Sequence, residues 1–194
     1  MNGKIIIFGL LGGLLAASLL HGKNDTTPDN ANTQTSDYDF STDDIKEPPS
    51  TRNNNPGNVK KPQLPSGPWQ GTKDYDKKGH AIFHDYIWGT RAMITDLRTK
   101  IQRGLNTPSK IIKEYCPAKG SDPCINQKDY IKYVENNVGT AVISRDDKET
   151  IYKVVQYMSY YEAGNYPNTN TNRTKLNRAI FDMAWEILNS KYGK

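Results

Sequence analysis

The stretch Arg52-Asn53-Asn54-Asn55-Pro56-Gly57-Asn58 separates an N-terminal part with the composition of a targeting segment and linker from a C-terminal part with the composition of a folded domain. Three asparagines before Pro-Gly are unfavourable inside a helix or a central strand. Asn competes for backbone hydrogen bonds, Pro lacks an N–H group, and Gly favours positive φ. The composition of this stretch is also explained by a simple turn at the end of a linker. We place the start of the folded domain at residue 51.

The N-terminus carries an apolar run, Ile5–Leu20, that contains no charged residue. A membrane-spanning helix usually needs about 20 residues and a signal-peptide core about 7–15, so this run is intermediate in length. Gly9 and Gly13 form a small-xxx-small pair that allows close helix packing in lipid. We predict an uncleaved transmembrane anchor over residues 1–22. The alternative is a signal peptide cleaved near Ala16-Ala17-Ser18.

The charges divide at the same boundary as the hydropathy. Residues 23–50 contain seven acidic residues and two lysines, with few apolar side chains, which predicts a disordered acidic linker. Residues 51–194 contain 23 Lys and Arg against 14 Asp and Glu. A basic domain favours an anionic partner such as nucleic acid, a membrane surface or the acidic polymers of a bacterial wall. A merely solvated basic surface is the alternative.

The pattern of residues 51–194 predicts an α+β fold that is mostly α. Residues 59–84 are rich in Pro and Gly, with one short strand expected at Ala81–Trp88 and a hairpin to Trp69–Gly71. Helical periodicity then predicts five helices, over about 90–103, 107–115, 126–139, 147–163 and from 174 onward.

Cys116 and Cys124 are the two cysteines, and they flank a turn-prone loop of seven residues. This spacing favours a disulfide or two free thiols over zinc, because His21, His80 and His84 provide no paired ligand spacing. The sequence also lacks a phosphate-binding loop and a dinucleotide fingerprint. We therefore predict no metal and no cofactor.

Several motifs together suggest a family. The Arg52–Asn58 stretch resembles the RNNNPGN motif of phage virion proteins that are related to lysozyme-like and lytic transglycosylase-like peptidoglycan-processing domains. Four further motifs follow in the expected order within residues 51–185: Gly89-Thr90-Arg91-Ala92, Tyr115-Cys116-Pro117-Ala118, Tyr130-Ile131 and Glu162-Ala163-Gly164. The resemblance implies a lysozyme-like helical domain over residues 51–194, peptidoglycan as its partner, and contacts with other virion proteins.

Glu162 is the candidate catalytic residue. It lies four residues after Met158 and seven after Val155, so it extends the apolar stripe of a predicted helix. It also occupies the last helical turn, where the dipole disfavours a carboxylate, and both effects raise a pKa. Glu-Ala-Gly after an aromatic helix end also resembles the Glu-Ser or Glu-Gly that closes the catalytic helix of lysozyme-like enzymes. The alternative is a structural carboxyl that bonds Arg173 or a tyrosine hydroxyl.

The resemblance implies a substrate-binding role for the Asn-rich stretch. Five of its residues are expected to contact N-acetyl sugars: Arg52, Asn53, Asn54, Asn55 and Asn58. The sequence differs from the family in one respect. In lytic transglycosylases the acid precedes the Asn-Pro segment, whereas Ser50-Thr51-Arg52 contains no carboxylate here. Catalysis by Glu162 therefore requires a permuted order, or the site lacks that acid.

These observations predict a membrane-anchored phage virion protein that binds and cleaves host peptidoglycan glycan strands during entry. The domain is expected outside the cytoplasm, at the virion membrane or the host inner membrane. A catalytically silent, membrane-associated virion structural protein is the competing hypothesis. A nucleic-acid-binding module fits least well, because the aromatic residues do not alternate with a Lys/Arg cluster. No specific nucleic-acid partner is therefore expected.

Overall fold

The computed structural model describes residues 47–62, 67–120, 123–139, 142–164 and 173–190, all within one compact unit that extends from Thr42 to Lys194. The predicted anchor, residues 1–22, and the predicted linker up to residue 46 lie outside the described residues. The described part is mostly helical with one small sheet, as predicted. Its elements are α1 Pro49–Arg52, β1 Thr72–Tyr75, β2 Ala81–Phe83, α2 Tyr86–Gln102, α3 Pro108–Tyr115, α4 Gln127–Val138, α5 Lys148–Glu162 and α6 Arg178–Asn189. Within the described ranges, no helix combines the length and apolar character needed to span a membrane.

The folded region begins before residue 51. Pro49 and Ser50, which we expected in the linker, belong to α1, and Ser50 and Thr51 are buried. The Ser50 hydroxyl donates to the Glu162 carbonyl oxygen at 3.2 Å, and the Thr51 hydroxyl donates to the Arg173 carbonyl oxygen. Tertiary hydrogen bonds thus order residues whose local composition is typical of a linker.

The β region is a two-stranded antiparallel sheet in which Thr72 pairs with Phe83 and Tyr75 with Ala81. The predicted strand Ala81–Trp88 was too long, because α2 already begins at Tyr86. The Asp85 carboxylate caps this helix by accepting a 2.7 Å hydrogen bond from the Ile87 N–H. Asp is a strong N-cap residue, so the chain turns from strand to helix here.

Helix α2 occupies the centre of the core and contacts α3, α5, α6 and β2. Its apolar stripe is buried, with Ala92, Met93 and Leu97 each at most 2% exposed. Helix α6 begins at Arg178, after an Asn177 cap, rather than at residue 174. Met183 lies on α6 and is 46% exposed.

The start of α2 packs directly against the Asn-rich turn. A Cβ atom added to Gly89 would lie 1.9 Å from the Asn54 carbonyl oxygen, so only glycine fits at this position. The turn is held to β2 as well, since Phe83 N–H donates to the Asn53 carbonyl oxygen at 3.0 Å. Asn54 completes the attachment with a side-chain hydrogen bond to the Phe83 carbonyl oxygen at 3.2 Å.

This close approach predicts a large effect of Gly89→Ala. The added methyl group would overlap backbone atoms that cannot rotate away, and we expect the free energy of unfolding to fall by at least about 3 kcal/mol. Gly104→Ala is the control, because Gly104 has positive φ but nothing near its Cβ position. That change should cost only about 1–2 kcal/mol of backbone strain. Equal urea midpoints for the two variants would contradict this packing.

Candidate functional site

A groove of about 940 Å³ runs between the β region and the ends of α2, α3 and α5. One wall is formed by the chain after the Asn-rich turn, including Lys60 and Lys61, together with Trp69 and His80. The opposite wall is formed by α2, α3 and the loop that follows α3. Glu162 lies among the lining residues, so the last residue of α5 faces the same cavity as the Asn-rich turn.

The carboxyl of Glu162 is enclosed by protein but open to the groove. Asn58 donates a 2.8 Å hydrogen bond from Nδ2 to its Oε2, and the Tyr130 hydroxyl, which donates to the Met158 carbonyl oxygen at 3.4 Å, lies close to it. Burial raises the pKa of Glu162 from 4.5 to about 7, although both of these donors favour the charged form. Near neutral pH the group is therefore partly protonated, as a general acid must be.

Glu162 differs from the other carboxylates of the groove. Asp96 is paired with Lys100, whose Nζ lies 2.5 Å from Oδ1, and Glu114 is paired with Arg103 at 2.8 Å. Within the described ranges, no ion pair involves Glu162. Its environment consists of neutral donors and apolar surface, and such an environment shifts a carboxyl toward its protonated form.

Cys116 and Cys124 form a disulfide with their Cα atoms 5.2 Å apart. Both residues, together with Pro117, Gly120 and Pro123 of the loop between them, line the groove. The bridge therefore fixes the loop that forms part of one wall. Gln127 supports the same wall by donating to the Cys116 carbonyl oxygen at 2.6 Å.

Of the five Asn-rich stretch residues expected to bind sugar, Asn58 alone lines the groove. Asn55 is fully buried, and its amide bonds Val59 N–H, Val59 O and the Ala81 carbonyl oxygen, so it cannot contact a ligand. Asn53 is buried and donates to Asp76, while Asn54 bonds β2. Arg52 is exposed, but away from the groove. These four residues therefore do not line the groove, which differs from the expectation drawn from the sequence.

Sequence reasoning did not identify Tyr115 and Tyr130 as neighbours of Glu162. Both tyrosines belong to motifs described above, but the sequence pattern of a tyrosine on or at the end of a helix indicates a core residue. Tyr130 is fully buried and stacks on Tyr161 at 3.8 Å between ring centroids. Tyr115 lines the groove, and burial raises the pKa of its hydroxyl, with a further contribution from the negative charge of Glu162. A tyrosine hydroxyl needs a polar partner when buried, which was the available signal.

The chain has a relative among phage proteins. It is 30% identical over 120 residues to protein P5 of Pseudoalteromonas phage PM2, an alignment that covers 61% of this chain and 72% of that protein. The chain belongs to the same family as protein P5. No protein-family model matches the sequence. Among the described residues, no group of His, Cys, Asp or Glu side chains is arranged to hold a metal ion.

The raised pKa of Glu162 predicts a specific dependence of stability on pH. Between about pH 4.5 and 7 the folded state binds a proton that the unfolded state releases, so this carboxyl stabilises the fold at low pH. That contribution is lost as the pH rises through about 7. Glu162→Gln should therefore be more stable than the wild type by up to about 3 kcal/mol at about pH 8, relative to their difference at about pH 4.

Urea unfolding of both proteins at the two pH values tests this prediction. Glu135→Gln is the matched control, because Glu135 is an exposed residue on α4. The control should follow the wild type at both pH values. An unchanged stability difference between wild type and Glu162→Gln would show that the carboxyl titrates as it does in the unfolded chain.

Proposed function

We propose that this protein is a membrane-anchored phage virion protein whose groove binds and cleaves the glycan strands of host peptidoglycan during entry. The observation that carries the proposal is the Glu162 carboxyl, which faces the groove with a pKa of about 7. A carboxyl held in such an environment is the acid that glycosidic cleavage requires near neutral pH.

In the proposed reaction, Glu162 donates its proton to the glycosidic oxygen as the bond between that oxygen and the anomeric carbon breaks. Water, or a hydroxyl of the same sugar in a lytic transglycosylase reaction, then bonds to the anomeric carbon and returns its proton to Glu162. Asn58 holds the carboxyl in place through its hydrogen bond, and the Tyr130 hydroxyl lies close to it. Both partners are neutral, so they orient the acid without the charge compensation that a lysine or arginine would give. The proton is therefore available to the substrate.

Three other features agree with a virion protein whose groove binds peptidoglycan. Family membership with a phage protein agrees with a virion location. The groove wall carries Trp69, whose indole is held by a 2.8 Å hydrogen bond to the Lys60 carbonyl oxygen and offers an aromatic surface for a sugar. Exposed Lys60 and Lys61 on the same wall favour a substrate that carries carboxylates, as peptidoglycan does through its peptides.

Activity of Glu162→Gln tests the catalytic role. Release of soluble fragments from purified peptidoglycan by the full-length chain should fall by about 10²-fold or more, because Gln keeps the shape of the side chain but has no acidic proton. Glu135→Gln should retain activity. The assay belongs at about pH 5, where Glu162 keeps its proton and the wild type keeps most of the stability that this proton provides.

Two results would contradict the proposal. Undiminished activity of Glu162→Gln would exclude this carboxyl as the acid. A wild-type protein that binds peptidoglycan but never releases fragments would instead favour the silent structural role. Loss of activity accompanied by loss of folding would be recognised from the urea midpoints of the same preparations.

The membrane attachment is tested separately. The run Ile5–Leu20 approaches spanning length with its interface flanks, so the full-length protein should stay with membranes after high-salt and carbonate washing. Its N-terminal sequence should be intact. Release into the soluble fraction, with a new terminus shortly after Ala17, would show that the segment is a cleaved signal peptide.

A further inference from the structure

Two buried polar atoms beside Glu162 have no hydrogen-bond partner in the protein: the hydroxyl oxygen of Tyr115 and Oδ1 of Asn58. Asn58 uses its Nδ2 to bond Glu162, while its Oδ1 accepts nothing. Several buried polar atoms of the described residues lack partners, but among these only the Tyr115 and Asn58 atoms belong to groove-lining residues. Leaving such groups unpaired destabilises the fold, so their presence together requires an explanation.

We propose that Tyr115 and Asn58 form a hydrogen-bonding subsite at the base of the groove, where the substrate glycan supplies the missing partners. The inference rests on the proposed function, since it names the part of that substrate which this site recognises. The Tyr115 hydroxyl donates and Asn58 Oδ1 accepts, so the complementary ligand group has both an acceptor and a donor. In a glycan, this group is a sugar hydroxyl or a secondary amide.

The surroundings of Tyr115 fix its hydroxyl in advance of binding. A Cβ atom on Gly57 would lie 2.7 Å from this hydroxyl, so the absence of a side chain at Gly57 leaves room for the hydroxyl. Lys100 Nζ lies 5.6 Å from the ring centroid and is itself held by Asp96. The next residue, Cys116, is tied by its disulfide. A ligand therefore meets a group that is already ordered, which lowers the entropic cost of binding.

Tyr115→Phe separates this role from a structural one, because the two predict opposite changes. If the hydroxyl serves a ligand, removing it relieves an unpaired buried group, and the melting temperature of the full-length protein should rise by about 2–4 °C. Ligand affinity should fall at the same time. If the hydroxyl has a structural partner, the melting temperature should fall, and that result would overturn the proposal.

Binding is measured by calorimetry with two neutral probes, the β-1,4 tetramer of N-acetylglucosamine and cellotetraose. These tetrasaccharides differ at position 2, where one carries an acetamido group and the other a hydroxyl. Measurement at about pH 8, above the pKa of Glu162, suppresses cleavage during the titration. Tyr157→Phe is the matched control, since Tyr157 lies on α5 outside the groove lining and packs edge-on against Tyr133.

We expect Tyr115→Phe to weaken binding of the acetylated tetramer about 3- to 10-fold, as for loss of one neutral hydrogen bond. A loss confined to that probe identifies the amide as the recognised group, and an equal loss for both probes identifies a hydroxyl. Unchanged affinity for both probes, or no binding of either probe by the wild type, would overturn the subsite. Tyr157→Phe should bind both as the wild type does.

The outcomes also separate the subsite from the catalytic proposal. Tetramer binding that depends on Tyr115, without any release of peptidoglycan fragments, would preserve the subsite and contradict catalysis. Fragment release that persists unchanged in Tyr115→Phe, with unchanged tetramer affinity, would preserve catalysis and contradict the subsite.

Discussion

The buried side-chain amide of Asn55 is the constraint on which the rest of the structure depends. It accepts a 2.8 Å hydrogen bond from Val59 N–H and donates to the Val59 and Ala81 carbonyl oxygens at 3.0 and 2.8 Å. These bonds close the Asn-rich turn and attach it to β2. The same turn presents the Asn54 carbonyl oxygen to Gly89, Gly57 to the Tyr115 hydroxyl, and Asn58 to Glu162. The fold and one wall of the groove therefore depend on a single buried amide.

Much of the helical architecture could be predicted from the sequence, because capping and apolar spacing are local. Thr107 before Pro108 marked the start of α3, and Ile151, Val155 and Met158 marked the buried face of α5. The prediction from the sequence failed where a contact with another part of the chain determined the local structure. The predicted helix began at about residue 90, yet Gly89 lies inside α2, where its missing side chain leaves room for the Asn54 carbonyl group.

The candidate site was predictable in part for the same reason. The position of Glu162 on a buried stripe and at a helix end can be worked out from nearby residues, and the structure places it in a groove with Asn58. The partners Tyr115 and Tyr130 depend on how α3 and α4 pack, which no local pattern specifies. The roles of the asparagines were also difficult to predict from the sequence. Asparagines of one short stretch take different roles, because backbone geometry aims Asn55 inward and Asn58 toward α5.

The bonds that build the site join distant parts of the chain. Asn58 is 104 residues from Glu162, and Ser50, whose hydroxyl bonds the carbonyl of the same glutamate, is 112 residues from it. Contacts between such remote segments carry a large loop-closure entropy and form slowly in folding. A ribosome-bound chain in which α5 has not yet been synthesised lacks Glu162. The groove can thus assemble only after nearly the whole domain has been synthesised.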